Sequence, residues 1–146
     1  MVIRVAESGD VAAILAIYRA AGIEGEATFT VEEAKAHLES FRAYPSYRVF
    51  VAVMDEDVVG TYALLIMDNL AKRGARSGIV EDVGVMPGHQ GKGIGRAMMA
   101  HAIDECRAAG CYKLVLSSKK RRAEAHEFYE AVGFERHGYS FVVDMK

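Results

Sequence analysis

Gly91, Gly93 and Gly95, three glycines in five residues, stand where an apolar strand-like run gives way to a helical one, in the stretch VEDVGVMPGHQGKGIG (residues 80–95). Without a Cβ, the backbone of such a turn can bend tightly and bring several N–H groups against one anion, and the start of the following helix adds favourable dipole charge. The chemistry this spacing offers is the grip of a phosphate. Two common nucleotide motifs do not fit it. A triphosphate-binding loop needs G-x-x-x-x-G-K-[ST], whereas Gly91-Lys92 is followed by Gly93 and Met86 stands where the first glycine belongs. A dinucleotide turn needs G-x-G-x-x-G, and Arg96 replaces its last glycine.

Gln90, Gly93 and Gly95 instead satisfy [R/Q]-x-x-G-x-[G/A], and a second run, AHEFYEAVGFE (residues 125–135), carries F-Y-x-x-x-G-F. On these residues the chain resembles the Gcn5-related N-acetyltransferase (GNAT) superfamily, most closely over residues 80–134. The resemblance implies an α+β GNAT fold: a mixed, mostly antiparallel sheet of about six or seven strands, with a splayed parallel central pair at residues 78–86 and 113–117 and helices on both faces. It implies that the phosphate is the pyrophosphate of acetyl-CoA, used as a cosubstrate. The residues expected to hold it are Val83, Gly84, Val85, Gln90, Gly91, Lys92, Gly93, Ile94, Gly95, Arg96, Ser117 and Arg122. Arg122 stands where the family often has asparagine, so that pantetheine contact departs from the family pattern.

Acetyl transfer to an amine needs a neutral nucleophile, a polarised thioester carbonyl and a proton for the departing thiolate. Glu81 and Asp82 are the candidate bases, acting directly or through water. Residues alternate along a strand, so only one of the two should face the cleft, and the resemblance favours Glu81. The backbone N–H of Val83 or Val85 is the candidate partner for the carbonyl oxygen. The resemblance makes Tyr129 the proton donor, and a phenol of pKa about 10 matches an alkyl thiolate closely. The run Lys119, Lys120, Arg121, Arg122 could reach a 3′-phosphate but is equally a solvated helix start, and His126 is a second candidate base. The acceptor pocket is expected from residues 22–30 and 137–141, with Glu24 and Glu26 attracting a cationic amine. The expected activity is acetylation of a small-molecule primary amine, such as glucosamine phosphate, an aminoalkylphosphonate or phosphinothricin, by direct transfer in a ternary complex. A protein N-terminus or lysine as acceptor, and an acyl-CoA-binding sensor without turnover, are the alternatives.

The elements that must position these groups follow from periodicity. Val11, Ile14, Leu15 and Tyr18 fall on one helical face, capped by Ser8 or Asp10 and ended by Gly22. A second helix is expected over 31–41, and strands over 47–54 and 58–67 joined by a short acidic turn. Ile94, Met98, Ala102 and Cys106 stripe a helix over 93–109, and Ala125, Phe128 and Val132 stripe another over 121–131. Strand-like pieces at 134–136 and 140–145 complete the chain.

Composition bounds the rest. With 146 residues, 51% apolar and 26% charged, the chain suits a single domain spanning 1–146. Eighteen basic against 20 acidic residues give a net charge of −2, which argues against nucleic acid as partner. No apolar run reaches the roughly 20 residues of a membrane span, and the first residues carry no signal-like segment, so a cytoplasmic protein is expected. Cys106 and Cys111 match neither a redox pair nor a zinc half-site and are expected to be small buried hydrophobes. The five histidines lack metal-ligand spacing, so no metal is expected. By analogy the assembly is a homodimer.

Overall fold

The computed structural model describes residues 1–25 and 28–145, and Glu26, an expected acceptor residue, lies outside them. The chain runs β1 (Val2–Val5), α1 (Val11–Ala21), α2 (Val31–Ser40), β2 (Tyr47–Met54), β3 (Asp57–Met67), β4 (Arg76–Val85), α3 (Ile94–Ala108), β5 (Cys111–Val115) and α4 (Ala123–Ala131). The strands form one sheet in the order β1-β2-β3-β4-β5, antiparallel except for the parallel pair β4 and β5. Among the described residues no helix is long and apolar enough to cross a membrane.

Strand alternation sorts the core between two faces. Phe50 and Ala52 of β2 pack with Tyr62, Leu64 and Ile66 of β3 beneath Ile94, Met98, Met99 and Ala102 of α3. Val49, Val51 and Ala63 point the other way, against Ile14 of α1. Ala34 of α2 covers Val11 and Leu15 from outside. Met98 and Met99 are fully buried, each worth about 1.5–3 kcal/mol of transfer free energy. Asp10 does not cap α1 with its side chain. Its carboxylate instead takes two hydrogen bonds from Arg4, at 2.7 and 3.0 Å, and one from the Glu7 N–H at 2.7 Å, tying β1 to the start of α1. Thr30 and Glu33 form a capping box on α2.

The described sheet has five strands where six or seven were expected. The missing ones are at 134–136 and 140–145, which form no strand. A strand exists only by hydrogen bonding to a neighbour, and the segment after Gly138 does not lie along β5. Tyr139, Phe141, Val142, Val143 and Met145 stay 78–93% exposed. Cys106 is buried as expected, but Cys111 on β5 is only half-buried.

Candidate active site

The parallel pair provides the opening. Its register runs from Arg76 opposite Cys111 to Ile79 opposite Val115, where β5 ends, while β4 continues to Val85. Beyond Ile79 the β5-side edge of β4 has no strand neighbour among the described residues. A gap therefore opens beside Val80, Glu81, Asp82, Val83, Gly84 and Val85, with backbone N–H and C=O groups on its wall. The expected parallel pair is present, with strand bounds one or two residues earlier, at 76–85 and 111–115.

At the end of β4 the chain turns into α3. The Met86 N–H bonds to the Val59 carbonyl at 2.8 Å and the His89 N–H to the Met86 carbonyl at 3.0 Å, pinning the turn to β3. Gly88, Gly91 and Gly93 then take φ of 85°, 78° and 79°, a region side chains rarely enter. Gly93 is the N-cap of α3, no side chain caps it among the described residues, and the first turn has no acidic residue. Its free N–H groups and the exposed Lys92 and Arg96 suit a diphosphate. Gly95 departs from the expectation that it shapes the turn. It lies inside α3, where a Cβ would stand 3.1 Å from Cζ of Phe128, so its role is to let α4 close onto α3.

That packing positions Tyr129. Its ring meets Phe128 and Phe134 edge-on at centroid distances of 5.2 and 5.8 Å, on the α3 side of the sheet. Among the described residues no hydrogen bond restrains its hydroxyl. Burial raises its pKa, while nearby Arg122, the N-cap of α4, pulls the other way. The ring of His126 is oriented by its Nε2–H, which donates to the Lys119 carbonyl at 2.8 Å.

Glu81 and Asp82 reach the gap from the other face, and strand alternation does not separate them as expected. Glu81 pairs with Ala63 and Gly84 with Thr61, so the intervening Asp82 and Val83 stand opposite Tyr62 alone. This is a β-bulge, and Asp82 carries its left-handed φ of 53°. Glu81 shares the α1 side with its cross-strand partner Ala63, while Val83 packs on the α3 side. Burial raises the pKa of both carboxylates, and the charge of Asp82 raises Glu81 further. Burial also raises the phenols of Tyr18 and Tyr47, with Asp82 adding to both and Glu81 to Tyr47. Two acids and two tyrosines thus form one cluster, with Phe41 and Tyr44 stacked edge-on behind Tyr47. The tyrosines were missed because Tyr18 sits on a core stripe and Tyr47 opens a strand, positions that packing alone explains.

The remaining expected residues are peripheral. Ser117 lies past β5, its hydroxyl 3.1 Å from that of Ser140. Lys119, Lys120, Arg121 and Arg122 are exposed. Glu24, three residues past the end of α1, pairs with Arg19 of that helix at 3.8 Å. Two orphaned buried atoms, Nδ1 of His89 in the glycine turn and Oγ of Ser118 after β5, went unremarked in the sequence although both sit beside motif residues. Burial, with Cys111 alongside, pushes the Cys106 thiol up to about 12, which leaves it a poor nucleophile. Among the described residues no group of three or more His, Cys, Asp or Glu could hold a metal ion.

The chain is similar to several known proteins. L-methionine sulfoximine/L-methionine sulfone acetyltransferase of Salmonella typhimurium is 32% identical over 92% of this chain and 80% of its own length. L-amino acid N-acyltransferase MnaT of Escherichia coli is 31% identical over 92% of this chain and 79% of its own. Glucosamine 6-phosphate N-acetyltransferase of Trypanosoma brucei brucei is 33% identical over a shorter stretch, 60% of this chain and 58% of that enzyme. A solved structure from Agrobacterium tumefaciens, described as an acetyltransferase, superposes with a TM-score of 0.92 over 99% of this chain and all of that one, at 30% identity. The family model for the acetyltransferase (GNAT) family matches residues 12–134, which contain both cleft strands, the glycine turn and α4. The chain belongs to the acetyltransferase (GNAT) family.

Proposed function

We propose that this protein transfers the acetyl group of acetyl-CoA to the primary amine of a small molecule, directly and within a ternary complex. The observation that carries the reading is the split of β4 from β5, with an uncapped α3 at one end and ionisable groups reaching it from both faces. Acetyl-CoA supplies the activated acetyl group. Backbone N–H groups at Gly91, Gly93, Ile94 and Gly95, with Lys92 and Arg96, would hold its diphosphate, and the open edge at Val83 and Val85 would bind the pantetheine arm and polarise the carbonyl.

Glu81 and Asp82 attract the ammonium form of the acceptor, and Glu81 takes its proton. Their raised pKa values bring them closer to the amine they must deprotonate, while the second carboxylate keeps the site electronegative. Tyr129 holds its proton at neutral pH and gives it to the thiolate, with Arg122 lowering the cost of the phenolate. Direct transfer follows from the poor nucleophilicity of Cys106 and from the position of both cysteines, on α3 and β5 outside the split segment of β4.

An acceptor resembling an amino acid is favoured. The two relatives that align over 92% of this chain are named for amino-acid substrates, and Tyr18 and Tyr47 beside the two acids suit an ammonium carried on an apolar or aromatic frame. The test follows CoA release from acetyl-CoA with a panel of free amino acids, methionine sulfone, glucosamine 6-phosphate and a peptide with a free N-terminus. Turnover fastest with the amino acids is expected. Turnover only with the peptide would move the protein to the protein-acetylating reading, and calorimetric binding of acetyl-CoA without any release would make it a sensor.

A further inference from the structure

The two acids stand on a backbone irregularity that ladder hydrogen bonds alone do not hold. At the bulge, Asp82 and Val83 face the single residue Tyr62, and Asp82 sits at a left-handed φ of 53°, which a non-glycine residue keeps only where its surroundings enforce it. Tyr62 is the contact through which β3 sets the place of that segment. Its ring is fully buried on the α3 side of the sheet and stacks on Phe50 at a centroid distance of 5.2 Å and an interplanar angle of 15°.

The hydroxyl of this ring lies 2.7 Å from Nδ1 of His101 on α3. Burial raises the phenol, so Tyr62 keeps its proton and donates it, which makes Nδ1 the acceptor and leaves the imidazole proton on Nε2. Nε2 faces Oε1 of Glu105 at 3.9 Å, and Oε2 of Glu105 accepts a hydrogen bond from Nη2 of Arg48 on β2 at 2.8 Å. Arg48 in turn lies 5.2 Å over the Phe50 ring, which meets the His101 ring edge-on at 4.9 Å. The contacts thus close on themselves and leave the imidazole one orientation. Ile94, Met98, His101 and Glu105 fall at i, i+4, i+7 and i+11, one stripe of α3 that begins at the glycine turn. Where the stripe begins, a Cβ on Gly60 would stand 2.9 Å from Cγ2 of Ile94, so α3 lies directly on β3.

We infer that the Tyr62–His101 hydrogen bond, oriented by Glu105 and Arg48, is a latch that fastens α3 to β3 opposite the bulge and so fixes Glu81 and Asp82 relative to the glycine turn. His101 is a positioning residue, acting on the acids only through Tyr62. Its effect on rate rests on the reading of Glu81 as the base, whereas its effect on the bulge does not. Removing either partner leaves a buried polar group unpaired and frees the outer end of the Tyr62 ring, although its stacking on Phe50 survives. The bulge then loosens, and both carboxylates gain water.

A carboxyl-carbon NMR titration of the full-length chain without substrate tests this, so its outcome is separate from whether any amine is acetylated. Burial holds the Glu81 and Asp82 values up in the wild type. In Tyr62→Phe and in His101→Leu both should move back toward the ordinary carboxylate range. His101→Asn, whose Oδ1 can accept where Nδ1 did, should restore the wild-type titration. The double variant Tyr62→Phe, His101→Leu should shift no further than either single one, because both remove the same contact. A lowered Tm with both carboxyl titrations unchanged would overturn the inference and make the network a packing feature alone. On the fastest amine of the panel, kcat should fall about tenfold in Tyr62→Phe and His101→Leu, with the calorimetric affinity for acetyl-CoA held and His101→Asn near wild type. An unchanged kcat in both variants would equally overturn the positioning role.

Discussion

The end of the cleft proposed for the diphosphate is made largely of backbone, and the end proposed for proton transfer is made of side chains. At the turn, Gly88, Gly91 and Gly93 hold positive φ and the first N–H groups of α3 carry no side-chain cap, so position along the chain counts for most. At the other end Glu81 and Asp82 lie side by side only because a bulge breaks the pairing between Ala63 opposite Glu81 and Thr61 opposite Gly84. Tyr129 arrives from a separate helix that rests on Gly95. Local conformation builds the first end, and long-range register builds the second.

Substitutions should therefore separate the two ends cleanly. Tyr129→Phe keeps the ring packed against Phe128 and Phe134 and removes only the hydroxyl, so kcat should fall about 10- to 1,000-fold with the acetyl-CoA affinity nearly unchanged. Steady-state kinetics together with calorimetry read both quantities. An unchanged kcat would make Tyr129 a packing residue. Gly93→Ala is the mirror experiment. A Cβ meets nothing nearby but is forced into the left-handed region, which costs about 1–2 kcal/mol. The dissociation constant for acetyl-CoA should rise about tenfold while kcat at saturating cosubstrate holds. A fall in kcat alone would show that the two ends are coupled through α3.

This division also explains what could be read from the residues alone. The glycine turn, the stripe Ile94, Met98, Ala102 and Cys106, and the end of α1 at Gly22 are local patterns, and the structure reproduces each one. The parallel pair was legible because strand, glycine turn, helix and strand follow in order, while its splay was what the family resemblance implied. The bulge at Asp82 was not, since nothing in VEDVGV distinguishes an extra residue from ordinary alternation until Tyr62 is placed opposite. The packing role of Gly95 was not legible for the same reason: its partner Phe128 lies on another helix. The 140–145 segment alternates like a strand but pairs with no edge among the described residues, so its pattern alone did not make it one.

Asp82→Asn sharpens the proton-handling end. Asparagine tolerates a left-handed φ, so the bulge should survive. Asp82 raises the pKa of Glu81, so removing its charge should lower that value and move the acidic limb of the kcat/KM profile to lower pH. Rate at neutral pH should drop only modestly if Glu81 is the base, whereas collapse at every pH would transfer the role to Asp82. Stability should respond as well. A partly desolvated carboxyl whose folded pKa is raised favours folding below its unfolded value, about 4, and that contribution disappears as pH rises through the folded value. Asp82→Asn should thus melt higher than wild type at neutral pH, with the gain vanishing in acid.

The smallest effect is expected at the hairpin between β2 and β3 and tests whether local conformation can be improved in a turn that carries no site residue. The two-residue turn between β2 and β3 puts Asp55 and Glu56 at φ of 50° and 68°, the positive values a type I′ hairpin demands, without the Asn-Gly pair that adopts them readily. Glutamate in particular enters this region at a cost. Replacing the pair with Asn-Gly should relieve about 1 kcal/mol, visible as a rise of a few degrees in Tm with kcat and both affinities unchanged. The turn carries no site residue, yet Val59 three residues on accepts the Met86 N–H at the start of the glycine turn, so the expected silence in kinetics is as informative as the gain in stability. If activity moved with it, strain at the hairpin would be reaching the bulge through β3, and the separation of backbone-built from register-built features would fail at the strand both share.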